Sequence, residues 1–75
     1  MSQRLPSLGP REVIRALGKA GWTVLRQRGS HVSLGKEAVP HAVTVPMHRR
    51  DMPRGTLRGI IKDAGLTVEE FLGLL

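Results

Sequence analysis

One stretch limits what this chain can fold into: Gly21-Trp22-Thr23-Val24-Leu25-Arg26-Gln27-Arg28-Gly29-Ser30-His31-Val32-Ser33-Leu34. β-Branched and apolar residues flank a short polar bend, and Gly29 supplies the positive φ that a tight turn often needs. The pattern predicts two short strands, Thr23 to Arg28 and Ser30 to Leu34, joined at Arg28-Gly29-Ser30. In the second strand Val32 and Leu34 fall on one face, and His31 and Ser33 on the other. In the first, Val24 and Leu25 are adjacent, so either could be the inward residue. His31 is therefore expected on an open face, held on rigid backbone beside Arg26 and Arg28. A proton-transfer group next to fixed cations suits chemistry at a phosphodiester.

The rest of the chain supplies cover for that hairpin. Pro10 fits the first turn of a helix and Glu12 meets its dipole favourably. Val13, Leu17 and Ala20, with Ile14 beside them, follow one face to about Ala20, where Gly21 can cap in the left-handed conformation and Trp22 fold back. After a loop from Gly35 to Pro40, Ala42 to Val45 reads as a third strand with Val43 and Val45 inward, ended by Pro46. A polar connection, Met47 to Pro53, leads to a second helix from about Arg54, with Leu57, Ile60, Ile61 and Ala64 on one face and a stop at Gly65. Thr67 and Glu70 form a capping box that opens a short third helix containing Phe71 and Leu72. Residues 1–8 show no period and read as a flexible leader, with residues 9–75 as a single domain. The expected fold class is α+β: an α-β-β-β-α order, a three-stranded antiparallel sheet with both main helices on one face, and a short C-terminal helix.

At 75 residues the chain has room for one thin core. Twelve Lys and Arg against six Asp and Glu give a formal charge of +6 and a sequence pI near 11.5, which points to polyanionic partners. Cysteine is absent, which excludes disulfides, thiolate chemistry and Cys-based zinc sites. No apolar run reaches membrane-spanning length and no signal-peptide core is present, so no membrane partner is expected and the location is read as cytoplasmic. The only aromatics are Trp22 and Phe71, too few for a base-stacking platform. A metal site from His31, His41 and His48 would need Asp51 or Glu37 as a further ligand and matches no familiar zinc spacing, so neither metal nor cofactor is expected.

Gly21-Trp22, Arg26-Gln27, Gly29-Ser30-His31, Pro46 with His48, Gly55-Thr56-Leu57 and Ala64-Gly65-Leu66, in this order and spacing, resemble the HicA (YcfA-like) toxins of bacterial toxin–antitoxin systems. The likeness runs from Pro10 to Phe71. It implies a double-stranded-RNA-binding-like fold, an mRNA interferase (endoribonuclease) activity, and a HicB-like antitoxin partner. It also implies that His31, the histidine of the Gly-Ser-His motif, is catalytic. The loop from Gly35 to His41 departs from a plain hairpin turn by holding Pro40 and His41.

The chemistry of these residues agrees. RNA brings its own nucleophile, the 2′-hydroxyl, so cleavage requires only proton transfer and charge stabilisation, with no metal. An imidazole exchanges protons near neutral pH, and guanidiniums bind phosphate bidentately. His48 is a possible helper, as partner acid or phosphate contact, and equally fits a plain loop histidine; His41 is a weaker candidate. The expected RNA-binding set is Arg26, Arg28, Ser30, Lys36, Arg49, Arg50 and Arg54. The amino end of the second helix adds free amides near Arg54 and Thr56. Two other readings compete: a non-catalytic RNA-binding module using the same basic face, and an interaction protein that docks an acidic partner.

Overall fold

The computed structural model describes residues 4–47 and 51–75. The elements run α1 (Pro10–Lys19), β1 (Thr23–Arg28), β2 (His31–Gly35), β3 (Val43–Pro46), α2 (Arg54–Asp63) and α3 (Val68–Leu72). The three strands form one antiparallel sheet in the order β1-β2-β3. This is the expected α+β architecture, with boundaries displaced by one residue at several ends: β2 begins at His31 rather than Ser30, and β3 extends to Pro46, which as the last residue of an edge strand breaks no central ladder.

α1 forms because Val13, Ala16 and Leu17 make one apolar stripe, all of it buried, while Arg11, Glu12, Arg15 and Lys19 stay in solvent. Its start is tied by the Glu12 carboxylate, which accepts the Gly9 N–H at 3.0 Å. Its end is a Schellman cap: Gly21 sits at φ 98°, its N–H donates to the Gly18 carbonyl, and the Trp22 N–H donates to the Leu17 carbonyl. The same cap recurs at Gly65, where Leu66 donates back to Ile61. The expected capping box of α3 is present in both directions, Thr67 N–H to Glu70 at 2.8 Å and Glu70 N–H to the Thr67 hydroxyl at 3.0 Å.

Val32 and Leu34 of β2 and Val43 and Val45 of β3 are all buried, and both main helices pack against β3 on that side. One layer of helices thus covers one face of the sheet. β1 lies at the far edge and all six of its residues are exposed. The undecided parity of Val24 and Leu25 is resolved by a β-bulge: Val24 pairs with Leu34 and Arg26 with Ser33, which leaves Leu25 as the unpaired extra residue. Leu25 folds over Gly35, where a Cβ would lie only 2.8 Å from its Cδ1. Neither residue is an inward one in the expected sense, for Val24 is 53% and Leu25 63% exposed.

The segment read as a flexible leader differs from that expectation within the described residues. Leu5 and Leu8 are buried in the core with Met52, Leu57 and Phe71, and the Leu8 carbonyl accepts the Met52 N–H at 2.8 Å. Two isolated leucines around Pro6 have no helical or strand period, so no local signal marks them; they join a core drawn from the helices, β2 and β3, and the Leu8–Met52 bond spans more than forty residues of sequence. Leu5→Ala is therefore expected to cost about 2–5 kcal/mol, lowering the thermal midpoint by roughly 10 °C or more. A midpoint unchanged from the parent would remove Leu5 from the core.

Candidate functional site

The site is built by the β1–β2 turn. Arg28 and His31 are cross-strand partners, which leaves Gly29 and Ser30 as a two-residue loop. Gly29 takes φ 58° at the first central position, as a turn matching the right-handed strand twist requires. The Gln27 side-chain amide donates to the Gly29 carbonyl at 3.1 Å, and the Met47 N–H donates to the Ser30 carbonyl, so the bend is tied to both neighbouring strands. A loop this short leaves no slack in the placement of His31 opposite Arg28. Directly opposed side chains on one face have Cβ atoms about 5 Å apart.

The register then orders the whole open face. His31 pairs with Arg28 on one side and Pro46 on the other; Ser33 pairs with Arg26 and Thr44. Arg26, Arg28, His31 and Thr44 are exposed and Ser33 is half-buried. No strand carries a carboxylate: the acidic residues belong to the helices, to the β2–β3 loop (Glu37) and to the connection before α2 (Asp51). Neither a hydrogen bond nor an ion pair engages the His31 ring or the guanidiniums of Arg26 and Arg28 among the described residues. Among the described residues the face is thus a cationic surface with one imidazole, open to an anion.

Of the expected site residues, the structure brings together Arg26, Arg28, Ser30 and His31. Lys36 is placed elsewhere: it follows the far end of β2, about 16 Å along the strand from His31 at the usual rise, and its side chain lies against Gly21 at the α1 cap. Arg54 opens α2 in the helix layer and is exposed. His48, Arg49 and Arg50 lie outside the described residues. Ser33 follows the alternation that placed His31 outward, whereas the alignment of Thr44 with it depends on the β2–β3 register, which a loop of unknown geometry hides from the sequence.

His41 has a structural role. Its Nε2 lies 2.7 Å from the carbonyl of Asp63, the last residue of α2, and must carry the proton to donate there. Its ring packs at a tilt against Trp22, centroids 6.2 Å apart. The departure of this loop from a plain hairpin turn thus clips it to the helix layer. A further turn within it, closed by the Val39 N–H to the Lys36 carbonyl, holds Ala38 at φ 69°. His41→Ala is expected to lower stability by about 1 kcal/mol through the lost hydrogen bond, while His31→Ala, at an exposed position, changes it by less than about 0.5 kcal/mol. Equal losses in urea unfolding of the two variants would contradict this division of roles.

Comparison with known proteins adds one finding. The family model described as HicA toxin of bacterial toxin-antitoxin matches residues 10–66. No curated protein matches the chain.

Proposed function

The chain belongs to the HicA toxin family of bacterial toxin–antitoxin systems, and from that premise we propose that it is a metal-independent endoribonuclease that cleaves mRNA with His31 as its acid–base residue and is neutralised by a HicB-like antitoxin. The observation that carries this reading is the pairing of His31 with Arg28 across a two-residue turn, on a sheet face without carboxylates. In the reaction the RNA 2′-oxygen attacks the adjacent phosphorus, the bond to the 5′-oxygen breaks, and a cyclic phosphate and a 5′-hydroxyl form. His31 exchanges a proton with the attacking or the leaving oxygen, the other proton passing through water. Arg28 offsets the charge that builds on the phosphoryl oxygens.

Two features support a substrate that is RNA in general rather than one sequence. Trp22 and Phe71, the only aromatic residues, are 2% and 0% exposed, so no Phe, Tyr or Trp is offered to a base. The exposed groups instead suit phosphate and ribose, which carry no sequence information. Among the described residues no helix is long and apolar enough to cross a membrane, and the basic face suits an acidic antitoxin surface, whose charge would speed association. We place the toxin in the cytoplasm, where its mRNA substrate is.

Cleavage of a mixed-sequence single-stranded RNA in EDTA tests the proposal. The wild type should cut, and His31→Ala, folded by circular dichroism, should cut at least about 100-fold more slowly. Retained cleavage in the variant would remove His31 from the chemistry. A wild type that binds RNA without cutting it would instead make the domain an RNA-binding module.

A further inference from the structure

The open face carries a second polar row that the cleavage step does not use. Ser33 lies two residues along β2 from His31, and the register sets Arg26 on its β1 side and Thr44 on its β3 side. Each is outward for a stated reason. Ser33 separates buried Val32 from buried Leu34, Thr44 separates buried Val43 from buried Val45, and Arg26 lies two residues from outward Arg28 and pairs with outward Ser33. The row therefore presents one guanidinium and two hydroxyls side by side, spanning about 10 Å across three strands. It stands about 7 Å, the two-residue rise, from the row Arg28–His31–Pro46. None of the three side chains has a hydrogen-bond partner among the described residues.

We infer that Arg26, Ser33 and Thr44 form a subsite for the ribose-phosphate unit next to the one being cleaved, with Arg26 on the phosphate and the Ser33 and Thr44 hydroxyls on the 2′-hydroxyl. This rests on the ribonuclease reading and extends it from the scissile bond to its neighbour. The step between rows is of the order of the distance between successive phosphates in an extended strand, so one RNA chain running along β2 meets both rows in turn. The chemistry of the row is matched to its ligand. A guanidinium forks onto phosphate oxygens; a hydroxyl both donates and accepts, as the 2′-hydroxyl does. An apolar or acidic partner would leave the same groups unmatched. The row would also give the RNA strand a polarity on the sheet, because a guanidinium stands at one edge and a hydroxyl at the other.

The test reads binding, so it does not depend on turnover. In the His31→Ala background, a fluorescein-labelled RNA hexamer and its DNA counterpart are titrated by anisotropy, with and without Ser33→Ala plus Thr44→Val. Both substitutions suit a strand, and circular dichroism verifies the fold. The double substitution should weaken RNA binding about tenfold, the loss of one to two hydrogen bonds, and leave DNA binding nearly unchanged, so that the preference for RNA is lost. Arg26→Gln should weaken both ligands and lower the salt slope by about 1. An unchanged RNA-to-DNA ratio, in a protein whose wild type cuts RNA, would overturn the subsite alone. Absence of binding to either hexamer at low salt would overturn the ribonuclease reading beneath it as well.

Discussion

The alternation of β2 and β3 is the constraint on which everything else depends. Val32, Leu34, Val43 and Val45 must all face the single layer of helices, because a chain this small has one core. A strand places successive side chains on opposite faces, so burying those four leaves His31, Ser33 and Thr44 no choice but to point outward. A slip of one residue would bury a histidine and two hydroxyls and expose four core residues, an exchange no domain of this size could sustain. The residues of the open face are therefore specified by the hydrophobic core.

β1 completes the face in a different way. It gives nothing to the core, being exposed along its whole length, and is retained by pairing with β2 alone. Its contribution is charge at defined positions: the two-residue turn sets Arg28 opposite His31, and the two-residue period of the strand puts Arg26 on the same side as Arg28. The bulge and the arginines also blunt an otherwise pairable edge that exposes Val24 and Leu25. A strand that stabilises little is free to carry the cations a polyanion needs.

Much of this was legible in the residues. Local rules govern the helix caps at Gly21 and Gly65, the capping box of Thr67 and Glu70, and the outward placement of His31, and the structure follows each of them. What escaped depends on long-range packing. Leu5 and Leu8 have no period and are buried only because the whole core assembles around them. The bulge at Leu25 is a relation between strands, invisible in either alone. Lys36 looked like part of the cationic set because of its charge, yet the length of β2 carries it to the other end of the sheet. The His41 clip needed the end of α2 to be in place before its carbonyl could be seen as a partner.

The central claim is that the carboxylate-free face of the sheet, and not the helix layer, receives RNA. The most direct measurement is a titration of ¹⁵N-labelled His31→Ala protein with a short RNA, followed by amide chemical shifts. The account predicts that the largest changes fall on Arg26, Arg28, Ser33 and Thr44, with the outer sides of α1 and α2, at Arg15 and Arg58, unmoved. Changes concentrated on those helices, with the strands silent, would contradict it.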